Sequence, residues 1–230
     1  MRVNTLVAAL LFGATGVAHA YSFLNGYDEA RSVEQAVQRI KDQPDKHVMI
    51  YFGKPKNCPQ CNYTRNILNG GALAGGAKRV TAVESSAAAL AVAKENLAAN
   101  SLDPSIIAFE QADVFGYQRL LLDRGQSFDL VVLDPPKFAP TAVQAKNAAR
   151  AYKDINLMAL KLLAPGGLLA TFSCSGGVSA ELFQSIVAGA ANDAGVDAKI
   201  IERFGAAADH PVALNFPEGD YLKGLLVLRP

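Results

Sequence analysis

The sequence predicts an α/β protein whose main body is a doubly wound, mostly parallel sheet. Two observations carry this expectation. From residue 79 onward, short apolar runs rich in β-branched residues alternate with stretches of helical periodicity, the pattern of strands joined by crossover helices. The runs are apolar at consecutive positions, as in Leu130-Val-Val-Leu133, which marks strands covered on both faces. A third observation says where chemistry would sit. Glu84, Asp113 and Asp134 fall at or just after the carboxyl ends of successive strands, and open α/β sheets bind their ligands outside those ends.

Composition bounds the function. Half of the 230 residues are hydrophobic, enough for a sizeable core and too many for a disordered chain. The chain holds 22 Lys and Arg against 21 Asp and Glu, a formal net charge of +1. Residues 71–230 alone carry 14 basic and 16 acidic side chains, a net of −2. A strongly basic nucleic-acid binder is excluded, so any grip on phosphate needs local clustering or another domain.

The first 70 residues differ from the rest. Residues 1–20 combine Arg2, an apolar run over 6–17 and Ala18-His19-Ala20, the three parts of a secretory signal peptide. That points to export, toward the periplasm. The apolar run is too short to span a bilayer. Residues 32–41 predict a helix with Val33, Ala36, Val37 and Ile40 on one side, and 47–53 a buried strand. Cys58-Pro-Gln-Cys61 then opens a second helix. A thiol at a helix N-terminus has a lowered pKa, as a thiol redox site requires. No second cysteine pair exists to complete a metal cage. The stretch from Val48 to Cys61 resembles exported thioredoxin-like proteins, over residues 21–70. That resemblance implies a thiol–disulfide oxidoreductase using Cys58 and Cys61 as the alternative function.

Beyond the glycine-rich junction at residues 70–78, each element has its signal. Residues 79–84 form a strand, and Ser85 or Ser86 caps an alanine-rich helix to Leu97. Residues 106–110 form the next strand, with Asp113-Val114 leading into a helix that holds Leu120, Leu121 and Leu122. Residues 128–133 form the central strand, stopped by Asp134-Pro135-Pro136. A long helix over 142–163 carries Tyr152, Ile155, Ala159 and Leu162 on one stripe and ends at Pro165-Gly-Gly. A strand over 168–173 precedes a helix over 179–194 with Leu182, Ile186, Val187 and Ala190 inward. Strands over 199–203 and 224–228 close the chain.

Three acids at successive strand ends suit a nucleoside cofactor. An acid after the second strand accepts hydrogen bonds from ribose hydroxyls, and one after the third holds an adenine amino group. Cys174 lies at the same edge, in Thr171-Phe-Ser-Cys-Ser-Gly-Gly177. This is a polar turn where a core cysteine would have little to pack against. A thiolate there, beside Asp134, can add to an electron-poor ring.

Several segments together resemble the catalytic domain of class I, S-adenosylmethionine-dependent methyltransferases, and most closely the large-subunit ribosomal RNA cytosine-5 methyltransferases. They are residues 75–86, 128–138, Tyr152-Lys-Asp-Ile-Asn156, Thr171 to Gly176, Asp209-His-Pro-Val and Pro217 to Gly224. The resemblance implies S-adenosylmethionine as cofactor and RNA as substrate. It implies that Cys174 attacks carbon 6 of a cytosine, that Asp134 orients the ring at nitrogen 3, and that Pro135 and Pro136 shape the base pocket. Glu84, where the family more often has Asp, and Ser85 would meet the ribose, with Asp113 and Val114 flanking the adenine. Methylation of an exocyclic amine also uses an acid-Pro-Pro motif, but wants an aromatic ring next to stack the flipped base. Here that position is Lys137. The family's first strand and glycine-rich loop have no match, and neither does its RNA-binding module. Residues 47–52 with the helix from Cys58 to Ala74 could stand in as a strand–helix unit, although Pro55 and Pro59 lack N–H donors for a ligand.

Overall fold

A computed structural model describes residues 47–52, 77–99, 103–139, 144–206 and 212–230. The signal-peptide stretch 1–20, the predicted helix over 32–41 and the pair Cys58/Cys61 lie outside the described residues.

Seven strands form one sheet: β1 (His47–Phe52), β2 (Arg79–Glu84), β3 (Ile107–Gln111), β4 (Phe128–Asp134), β5 (Leu163–Ser173), β6 (Lys199–Phe204) and β7 (Lys223–Leu228). The order across the sheet is β3-β2-β1-β4-β5-β7-β6. Pairing from β3 through β5 is parallel, while β7 runs antiparallel to both β5 and β6. The helices are α1 (Ala87–Ala99), α2 (Val114–Asp123), α3 (Ala145–Leu162) and α4 (Ala180–Ala194). Among the described residues, no helix is long and apolar enough to cross a membrane.

This is the doubly wound sheet that the alternating pattern predicts. β1 takes the central place between β2 and β4, with Tyr51 opposite both Val83 and Leu133 and Phe52 opposite Asp134. The chain winds outward from β1 to β3 and returns to lay β4 on the other side of β1. That reversal opens a crevice at the carboxyl ends of β1 and β4, where such sheets bind ligands.

Burial on both faces explains the consecutive apolar runs. Along β4, Val131 and Leu133 join the core beneath Tyr152, Ile155, Leu160 and Phe183. Leu130 and Val132 join the opposite core with Val80, Ala82, Leu97 and Phe172. Successive strand residues point to opposite faces, so each face needs its own apolar set.

Two expectations need correction. Pro165-Gly-Gly is part of β5, which begins at Leu163 directly after α3 rather than at residue 168. Gly166 adopts φ 79°, and a Cβ on Gly167 would lie 2.8 Å from the Ala164 carbonyl oxygen. The backbone N–H of Gly166 bonds Arg229 O at 2.8 Å, and Arg229 N–H bonds Gly167 O at 2.9 Å. Partners at the far end of the chain thus recruit an apparent helix stop into the sheet. In α4, Leu182 is exposed and Phe183, at 1% exposure, takes the inward place.

Candidate functional site

The β2 end is built from local contacts. Glu84 is 1% exposed, and its Oε1 accepts the backbone N–H of Ser86 at 2.8 Å and the hydroxyl of Ser85 at 3.3 Å. Ser86 is the α1 cap, its hydroxyl oxygen accepting Ala89 N–H at 3.3 Å. Ser85 is turned instead to the carboxylate. A buried carboxylate needs several donors, and the two hydroxyls of a ribose are of that kind.

Asp113 follows β3 and caps α2, with Oδ2 accepting Gly116 N–H at 2.9 Å. A carboxylate offers about four acceptor sites, so capping does not exhaust it. The carboxyl group is exposed. Val114 is 2% exposed and packed in the core, which leaves its backbone rather than its side chain for a ligand.

Asp134 and Cys174 emerge from neighbouring strands. β4 and β5 pair in register from Leu130↔Leu168 to Leu133↔Thr171, so both carboxyl ends reach the same edge. Cys174 Sγ lies 4.0 Å from the main-chain oxygen of Pro135. Both residues are half-buried, neither sealed in the core nor fully in solvent. Pro135 is buried, Pro136 half-buried and Lys137 exposed, its Nζ resting 4.4 Å from the centre of the Tyr221 ring.

Tyr152, which the sequence shows only as a core residue, holds the two serines that flank Cys174. Its fully buried hydroxyl accepts from Ser173 Oγ at 2.9 Å and shares a second hydrogen bond with Ser175 Oγ at 2.9 Å. Ser175 Oγ also accepts Ala139 N–H at 3.1 Å, and Gly177 N–H bonds Ala139 O at 3.3 Å. Ala139 therefore joins the Asp-Pro-Pro loop to the cysteine loop directly, and the Tyr152 phenol braces the serines on either side of Cys174. Burial pushes the Tyr152 pKa up to about 12, against the lowering effect of its serine hydrogen bonds. One signal was available in the sequence: a serine on each side of Cys174, with a buried tyrosine in need of a partner. Lys223 was missed as well. Its Nζ donates to the carbonyls of Ser175 and Val178.

Among the described residues, no group of three or more His, Cys, Asp or Glu is placed to hold a metal ion. The parallel sheet from β3 to β5 with antiparallel β7 set between β5 and β6 is a class I methyltransferase architecture, and Glu84, Asp113, Asp134 and Cys174 all lie at or just past the carboxyl ends of its parallel strands.

Comparison with known proteins places the chain more closely. Residues 63–215 match the methyltransferase domain family, and the chain belongs to that family. It is 56% identical over 156 residues to ribosomal RNA large subunit methyltransferase I of Tolumonas auensis, covering 68% of this chain and 39% of that protein. The enzyme of the same name from Shewanella amazonensis is 43% identical over 224 residues, covering 96% of this chain and 57% of the relative. The matches thus span 39% and 57% of these relatives' own length. Among solved structures, SMU.776 complexed with SAH superposes with a TM-score of 0.68 at 19% identity, covering 88% of this chain and 50% of that one. The SAM-dependent methyltransferase of Agrobacterium tumefaciens gives 0.59 at 18% identity, covering 91% and 62%. At such identities these structures speak for the fold. The oxidoreductase alternative gains no support from any of these likenesses.

Proposed function

We propose that this chain is an S-adenosylmethionine-dependent methyltransferase that methylates carbon 5 of a cytosine in large-subunit ribosomal RNA. The relatives' names supply the RNA class. The carrying observation for the chemistry is the approach of Cys174 Sγ to the Asp134-Pro135-Pro136 loop, at 4.0 Å from Pro135 O.

Glu84 and Ser85 would receive the cofactor's ribose, with Asp113 and the Val114 backbone flanking its adenine. When bound, the cofactor supplies an electrophilic methyl group. The Cys174 thiolate forms a bond to carbon 6 of the cytosine while Asp134 stabilises the added charge through nitrogen 3. Carbon 5 thereby gains the electron pair that takes the methyl. Loss of the carbon 5 proton to a base then expels the thiolate and restores the ring. Pro135 and Pro136 would wall the base pocket, and the Tyr152 hydroxyl would brace the serines on either side of the thiol.

The test is methyl transfer from labelled S-adenosylmethionine to large-subunit RNA by the full chain, with nucleoside analysis of the product. We expect 5-methylcytidine, and a loss of at least about 10³-fold in Cys174→Ala. RNA containing 5-fluorocytidine should stay covalently attached to Cys174, because no proton can leave carbon 5. A label on an exocyclic amine, formed equally well without Cys174, would overturn the proposal. The chemistry also requires the chain to meet the ribosome. Fractionation of cells expressing it, with and without residues 1–20, checks whether that segment exports it instead.

A further inference from the structure

Lys223 opens β7 directly beside the end of β5, where the antiparallel register pairs it with Ser173, the residue before Cys174. Its ammonium turns inward. It is half-buried and donates to Ser175 O at 2.7 Å and Val178 O at 2.5 Å. Those carbonyls bracket the Ser175-Gly-Gly-Val178 turn that carries the chain from the nucleophile to α4. A lysine taken from water keeps its charge only where acceptors replace the lost solvation, and here two main-chain oxygens do so. Among the described residues, the other ionisable groups around this edge include Asp134 and Lys137 from the β4 loop, Tyr152 from α3, and Asp220 and Tyr221 ahead of β7. Burial depresses the Lys223 pKa. Cys174 is the strongest influence raising it, followed by Asp220, while Lys137 adds to the depression.

We propose that Lys223 is a positioning residue for Cys174: it pins the turn behind the sulfur and keeps a fixed positive charge beside it that favours the thiolate. This deepens the assignment of Cys174 as nucleophile and rests on it. A pinned turn alone would ask only for a hydrogen-bond donor. A charge that acts on the sulfur must show in how the thiol titrates.

The experiment follows iodoacetamide alkylation of Cys174 in the full chain across pH, read by mass spectrometry of its peptide. In Lys223→Gln, which keeps a donor and loses the charge, the midpoint should rise by about one pH unit. Lys223→Arg should stay near the parent. Reciprocity gives a second measurement that leaves Lys223 untouched. In Cys174→Ser, the Lys223 titration followed by the NMR signal of its ε-carbon should fall by a similar amount. A Lys223→Gln profile that overlays the parent overturns the charge role, as does an arginine variant shifted as far as the glutamine one. If the glutamine variant does not fold, an unmoved Lys223 midpoint in Cys174→Ser overturns it. None of these readouts uses methyl transfer, so a chain inactive on RNA still decides the role of Lys223.

Discussion

The proposed cofactor side and the proposed nucleophile side of the crevice are secured in different ways. Glu84 and Asp113 are held by groups within three residues of themselves: Ser85, Ser86 and Gly116. Around Cys174 the ties span 21 residues from Tyr152 to Ser173, 36 from Ala139 to Ser175 and 48 from Ser175 to Lys223. Local ties form with their own turn or helix and cost little chain entropy. Long ties form only when β4, β5, β7 and α3 have all assembled. The cofactor side should therefore tolerate single substitutions as isolated losses, whereas the nucleophile side should respond as a unit.

The severest challenge to that contrast is at Gly224. A Cβ there would meet the Phe172 ring at 2.5 Å and 2.7 Å and Phe204 Cβ at 3.1 Å, between two rings stacked at 5.8 Å. Gly224→Ala should cost about 2–3 kcal/mol in urea unfolding and also disturb Lys223 next to it. A change confined to stability, with Cys174 reactivity untouched, would break the picture of a coupled unit.

Tyr152→Phe comes next, at about 1–3 kcal/mol, because Ser173 and Ser175 lose a buried partner. It should also change the alkaline limb. Tyr152 titrates near 12 in the folded chain and near 10 unfolded, so the folded state binds its proton more tightly. That contribution is fully present below pH 10 and is lost as pH rises toward 12. Stability of the parent should fall by up to about 2–3 kcal/mol over that window, and the phenylalanine variant should lack this loss.

Glu84→Gln should weaken S-adenosylmethionine binding by about tenfold, a calorimetric change, while leaving the alkylation profile of Cys174 alone. Asp113→Ala should have the smallest effect, about 1 kcal/mol from the lost cap of α2. If either variant moved the Cys174 profile, the two sides would not be independent.

The same divide governs what the sequence revealed. The strand-end positions of Glu84, Asp113, Asp134 and Cys174 are legible because each sits at or just past the end of an apolar run, and the run itself reports the strand. Ser86, not Ser85, proved to be the helix cap, a choice between neighbours that spacing leaves open. The start of β5 was misplaced because Pro165-Gly-Gly does end the helix, but only contact with Arg229 makes it a strand. Leu182 was placed inward where Phe183 is, a one-residue rotation at a helix start that the apolar stripe does not fix. Lys223 is out of reach because its partners lie 48 and 45 residues away, whereas the serines flanking Cys174 are a signal for Tyr152 that its own helix does not carry.

β1 has a consequence for how the N-terminal segment can be handled. Because His47–Phe52 lies between β2 and β4, cutting the chain at the glycine-rich junction would split the sheet down its middle rather than detach an appendage. Two long apolar strand edges would then face water, each a template for another copy. A product trimmed at that junction lacks this central strand and should precipitate instead of behaving as a minimal enzyme.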